Sequence, residues 1–314
     1  MGERAVSSTI DTQRQLIVQI EELKKERKAV ILVHNYQRGE VQDIADFRGD
    51  SLGLSQSAAR TKAEVIVFCG VHFMAETAAI LNPDKIVLLP DENAGCPMAD
   101  MITAPQLREK KKLYPGAKVV CYVNTTAEVK AESDVCCTSA NAVEVINSLP
   151  PEEEILFVPD KYLGAYVMSR TGRKLILWNG YCPTHVQILP EDILYQKFLH
   201  PKAKVVVHPE CRPDVIAMAD EVRSTTGICR YAQETNAREI IVGTETGILY
   251  RLAQENPDKI FYPASGKAVC PNMKLINLEK ILWALQDLQP RVEVSEEIRQ
   301  RALKAVSRML DFRG

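Results

Sequence analysis

VILVHNY at 30–36, VVCYVN at 119–124 and VVVHPE at 205–210 are apolar runs that end in polar side chains. Continuous apolar runs of this kind suit parallel strands buried on both faces. Aligned on their ends, they match as His34-x-Tyr36, Tyr122-x-Asn124 and His208-x-Glu210, at offsets of 88 and 86 residues. Fifteen residues beyond each run's last polar residue, Ser51, Ser139 and Thr225 fall in the same register. Each set closes on a Cys-Pro pair: Cys96-Pro97, Cys182-Pro183 and Cys270-Pro271, spaced by 86 and 88. Any parallel α/β protein repeats its strands. Polar chemistry repeated at fixed register says more, and it predicts three copies of one α/β unit of about 87 residues.

Six more apolar runs fill out the units: VIVFC at 65–69, KIVLLPD at 85–91, EILFVPD at 154–160, KLILWNG at 174–180, EIIVGTE at 239–245 and KIFYPAS at 259–265. With helix-compatible segments between most of the nine strands, the class is α/β. The expected architecture is three pseudo-three-fold-related α/β/α domains, each on a three-stranded parallel sheet, around a central active site. The expected boundaries are 1–98 with an N-terminal helix at 10–28, 99–184, 185–272, and terminal helices over 273–314. The helices at 10–28 and 277–314 are expected to help close the cavity.

Composition narrows the function. The chain has 314 residues, 46% hydrophobic and 25% charged, with a net charge of −2. Those are ordinary globular values, and they give no electrostatic case for a nucleic-acid or anionic-membrane partner. No apolar run reaches the roughly 18–20 residues of a membrane span. The start MGERAVSSTIDTQRQ lacks the apolar centre of a secretory signal, so a cytoplasmic location is expected. Nine cysteines, an odd number, argue against a disulfide framework in such a protein.

Ligands of parallel α/β units gather at the carboxyl ends of strands. Three units about one axis would bring His34, Tyr36, Tyr122, Asn124, His208 and Glu210 to one cavity. Ser51, Ser139 and Thr225 read as helix N-caps, placed to bind phosphate or carboxylate at helix starts. Cys69, Cys121 and Cys136 fall on strands and read as small core residues. Cys96, Cys182 and Cys270 instead lie in polar loops, and one thiolate from each unit would make a three-sulfur metal site. Zinc would take His185 as a fourth ligand. An iron–sulfur cube would keep one iron open to substrate as a Lewis acid. Neither G-x-G-x-x-G nor a P-loop nor G-x-S-x-G occurs.

These residues resemble the quinolinate synthase (quinolinate synthetase A) family from about residue 29 to 276. The resemblance rests on VHNYQ, GDSLGLS, CGVHFMAETA, NAGCPMAD, CYVNT, CTSANA, WNGYCPTH, VHPEC, STTGI, GTETGI and CPNMK. It implies a [4Fe-4S] cluster held by Cys96, Cys182 and Cys270. It implies condensation of iminosuccinate with dihydroxyacetone phosphate to quinolinate, phosphate and water, in NAD synthesis. It implies substrate contacts from His34, Ser51, Tyr122, Asn124, Ser139, His208, Glu210 and Thr225, with Tyr36 nearby. For catalysis, Glu210 is expected as the principal acid or base, with Tyr36 and His208 assisting. A transient contact with L-aspartate oxidase, to receive the unstable imine, is a further expectation. Some relatives carry Cys-x-x-Cys ahead of the last ligand. Here Lys267 stands three before Cys270, so that thiol switch is not expected. Competing readings are another three-cysteine [4Fe-4S] enzyme of similar architecture, such as a reductive dehydroxylase or a diphthamide-type synthase, and a small-anion binding protein with a structural zinc.

Overall fold

The computed structural model describes residues 2–312, with side chains from residue 12 onward. Three four-stranded, all-parallel sheets carry the fold. The first contains β1 (Ala29–His34), β2 (Phe47–Gly49), β3 (Val65–Cys69) and β4 (Ile86–Leu88), in the order β2-β1-β3-β4. The second contains β5 (Lys118–Tyr122), β6 (Val135–Cys137), β7 (Ile155–Val158) and β8 (Ile176–Leu177), ordered β6-β5-β7-β8. The third contains β9 (Lys204–Val207), β10 (Glu221–Val222), β11 (Glu239–Gly243) and β12 (Ile260–Pro263), ordered β10-β9-β11-β12. The order is the same three times. Strands β1, β5 and β9 lie inside their sheets and are apolar along nearly their whole length, as burial on both faces requires.

The sequence reading expects three strands per sheet, and each sheet has a fourth. The added strands β2, β6 and β10 are edge strands of two or three residues, too short to show a period. A repeated side chain pins each of them. Asp46, Asp134 and Asp220 accept the backbone N–H of Ile31, Val119 and Val205 through Oδ2, at 2.8 Å in every unit. Their own N–H groups donate back to the same three residues' carbonyls at 3.0, 3.0 and 2.9 Å. The three aspartates stand at the same offsets of 88 and 86 as the strand-end pairs.

The terminal helices pack elsewhere than expected. Helix Leu278–Asp287 lies against helix Gly2–Glu26. Helix Glu296–Leu310 crosses the first two units: Arg301 pairs with Glu132 at 2.6 Å, and Asn141 donates to the Met309 carbonyl at 3.1 Å. Among the described residues, none that lines the central cavity comes from 12–28 or 277–312. No described helix is long and apolar enough to cross a membrane.

Candidate active site

The thirteen residues singled out in the sequence as ligands or catalysts, His185 among them, all line one cavity. The cause is topological. Parallel strands all release their carboxyl ends on one side, and the three sheets turn those ends toward a common centre. His34 ends β1 and Tyr122 ends β5, while His208 follows β9 directly. Tyr36, Asn124 and Glu210 stand two residues further along each loop.

The first and third units hold their histidines alike. The Tyr36 N–H donates to His34 Nδ1 at 3.2 Å, and the Glu210 N–H donates to His208 Nδ1 at 3.3 Å. An Nδ1 that accepts leaves the proton of a neutral imidazole on Nε2. His208 then donates from Nε2 to Ser139 Oγ, 3.1 Å away. Burial, ahead of every other influence, pushes His34 and His208 down to about 3, so both stay neutral at physiological pH.

Glu210 is the charged centre of the site. Burial alone would raise its carboxyl, but His185 and the Tyr122 hydroxyl outweigh burial and hold it well below the usual carboxylate range. Its Oε2 lies 2.8 Å from His185 Nδ1. From the other side of that ring, His185 Nε2 reaches Thr244 Oγ1 at 2.8 Å, and Thr244 Oγ1 meets the Tyr36 hydroxyl at 2.5 Å. Glu210, His185, Thr244 and Tyr36 therefore form one continuous hydrogen-bonded chain across the cavity. Sequence reasoning treated His185 only as a zinc ligand and did not single out Thr244. The quoted motif GTETGI contains Thr244, and its place just past β11 was the available signal.

The hydroxyls are in place but are not the caps. Asp50 caps helix Ser51–Arg60 by accepting the Gly53 N–H at 2.9 Å, and Ser224 caps helix Thr225–Glu234 by accepting the Gly227 N–H at 3.2 Å. Asn141 precedes helix Ala142–Asn147. Ser51 and Thr225 are thus first helical residues, and Ser139 lies two residues before its helix's cap. In the first and third units a better-placed acceptor stands one residue earlier, while Asn141 makes no side-chain cap bond; all three hydroxyls are left to face the cavity. Two buried acceptors in the lining, Asn124 Oδ1 and Glu210 Oε1, have no protein donor. A buried acceptor left unpaired costs about 1–3 kcal/mol, which a ligand with matching donors would recover.

Cys96, Cys182 and Cys270 follow the last strand of each sheet, and each leads into a short 3-10 turn: Ala99–Met101, His185–Gln187 and Asn272–Leu275. All three are half-buried on the cavity wall, while the other six cysteines are buried. Burial pushes the Cys96 thiol up to about 12 and raises Cys182 and Cys270 as well. Thiols so placed stay protonated in water and give up their protons when the sulfur binds a soft metal centre. Three soft donors from three chain segments fit a cluster with three protein ligands. Cys182, His185 and Glu210 also offer atoms within 4.8 Å of one another, a set that suits a single cation.

A three-unit α/β scaffold that delivers a carboxylate, neutral imidazoles and three thiols to one buried cavity defines an enzyme site suited to acid–base chemistry beside thiols able to bind a metal. Comparison with known proteins gives the family. Residues 18–311 match the NadA family, described as quinolinate synthetase A protein. A quinolinate synthase of Dehalococcoides mccartyi strain CBDB1 is 62% identical over 291 residues, covering 93% of this chain and 96% of the relative. One from Desulforudis audaxviator is 58% identical over 301 residues, covering 96% and 99%. One from Methanosarcina barkeri is 58% identical over 298 residues, covering 95% and 98%. The chain belongs to the quinolinate synthetase A family.

Proposed function

We propose that this chain is a quinolinate synthase that condenses iminosuccinate with dihydroxyacetone phosphate, releasing quinolinate, phosphate and water for NAD synthesis. The single observation that carries the reading is the convergence of the three repeat-related cysteines and the three strand-end pairs on one cavity. Membership in the family, at about 60% identity to named quinolinate synthases, supports the substrates.

Cys96, Cys182 and Cys270 would hold a [4Fe-4S] cluster. When bound, such a cluster supplies an open iron, a Lewis acid that polarises a hydroxyl or carboxylate. The chain itself handles the protons. Glu210, ionised and aimed into the cavity, takes a proton from substrate. His185 and Thr244 link it to the Tyr36 hydroxyl, so a proton accepted at one end can be returned at the other. Burial raises Tyr36 well above the usual phenol range, which keeps it a proton donor. Neutral His208 and His34 present N–H donors to carboxylate or carbonyl oxygens. Ser51, Ser139, Thr225 and Asn124 hold the remaining oxygens of the two anionic substrates. Delivery of the imine by L-aspartate oxidase belongs to the same proposal.

The test is anaerobic reconstitution with iron and sulfide, followed by an assay for quinolinate from the two substrates. Quinolinate formation that requires both substrates and the cluster is expected. A reconstituted, folded protein that forms no quinolinate would overturn the reading. A small-anion binder with zinc is favoured by one observation, the grouping of Cys182, His185 and Glu210. It predicts zinc without acid-labile sulfide in anaerobically purified protein.

A further inference from the structure

The motif GTETGI at 243–248 contains a buried carboxylate that the chemistry above does not use. Glu245 is completely buried. Its Oε1 accepts the backbone N–H of Cys270 at 3.0 Å, and its Oε2 accepts the N–H of Gly247 at 2.7 Å. Lys274 supplies the countercharge, with Nζ 3.0 Å from Oε1. The same ammonium donates to the backbone carbonyl of Tyr36, in the first unit. One ion pair therefore ties three loops: the loop with Tyr36, the loop after β11, and the loop with Cys270.

The packing leaves no slack. A Cβ on Gly247 would stand 2.5 Å from the Tyr36 carbonyl oxygen, 2.6 Å from Lys274 Nζ and 2.8 Å from Glu245 Oε2. Gly247 has a φ of −60°, which any residue adopts, so the requirement for glycine there is the space the ion pair occupies and not the backbone.

We propose that Glu245 and Lys274 are positioning residues that set the Cys270 thiol for metal capture and fix the Tyr36 loop relative to it. The physical logic is that of supporting partners around metal ligands: a ligand on a loop is only as well aimed as the groups that hold its backbone. A loop cysteine has no regular strand or helix bond at its own N–H. Glu245 supplies that bond, charge-assisted and out of water. The proposal rests on the cluster reading above, and its test separates the two.

Two variants perturb the clasp in different ways. Glu245→Asp keeps the charge for Lys274 but draws the oxygens back from the Cys270 N–H. Gly247→Ala removes no polar group and only drives a methyl into the ion pair. Both are reconstituted alongside the wild-type protein, and loss of the cluster's visible absorbance is followed in excess iron chelator. Cluster loss at least tenfold faster in both is expected. Amide exchange over 264–275 in the metal-free proteins should also be faster than in wild type, while exchange in β5 is unchanged. Chelation rates within twofold of wild type in both variants would overturn the clasp and leave the cluster reading intact. A wild-type protein that takes up no iron and sulfide would overturn both. If Glu245→Asp does not fold, Gly247→Ala decides alone, because it keeps every polar group of the clasp and a φ that any residue adopts.

Discussion

Glu210 keeps its charge in a buried cavity because His185 and the Tyr122 hydroxyl hold it there, and its other oxygen is left without a protein donor. That combination suits a group that must receive a substrate proton. Glu210→Gln keeps the size and removes the charge, so it should leave iron content unchanged and lower kcat by about 10²- to 10⁴-fold. A near-normal rate would remove Glu210 from the mechanism. Thr244 makes a sharper test of the proton chain, since it touches both Tyr36 and His185 but carries no charge. Thr244→Val should lower kcat by at least about tenfold, with KM changed much less. Equal losses in KM and none in kcat would mean that Thr244 only shapes the pocket. The candidate ligands were legible because polar residues repeat at fixed register inside apolar surroundings. Thr244 and Glu245 were quoted within a motif, yet their roles were not readable. Each acts through a partner in a different part of the chain, and such contacts leave no local pattern.

The nine expected strands were legible because each sits in an apolar run, even where, as at β4 and β8, only three or two residues of the run pair in the sheet. The added edge strands β2, β6 and β10 were not, since they are two or three residues long with no longer apolar run around them. Their signal was the aspartate that precedes each one. Asp46, Asp134 and Asp220 each close a two-way bond with the first strand of their unit. The hydroxyls after these strands were read as caps for a related reason: an N-cap is a matter of one residue, and Asp50 and Ser224 compete for it successfully. Asp220 also gives a pH prediction. Burial works against its charge, but Lys204 and the Val205 N–H outweigh burial and lower it below the ordinary carboxylate value. A depressed folded-state value stabilises the fold above the unfolded-state value of about 3.9, and that stability is lost as pH falls through the folded-state value. Asp220→Asn should therefore melt slightly lower than wild type at pH 7, by a small margin because water screens an exposed pair. The gap should close as the pH is taken well below 4. A gap that persists unchanged into strong acid would show that the charge contributes nothing.

At the scale of the molecule, three units that each place one thiol and one polar pair at their strand ends make a site that no single unit contains. The units must be held in fixed relation, and helix Glu296–Leu310 contributes to this by burying Ala302, Ala305, Val306 and Met309 against the first two. Met309→Ala should lower stability by about 2–5 kcal/mol through the cavity it leaves, while the folded fraction binds iron normally. Lost iron at full stability would mean that the helix serves the site directly. The central claim is that Cys96, Cys182 and Cys270 together hold one four-iron cluster. The most direct test is iron and acid-labile sulfide analysis of anaerobically reconstituted wild-type, Cys182→Ala and Cys69→Ala proteins. The account predicts about four iron and four sulfide per chain in the wild type. It predicts the same in Cys69→Ala, whose thiol lies in the core of β3, and little of either in Cys182→Ala. A full complement of iron and sulfide in folded Cys182→Ala would contradict it.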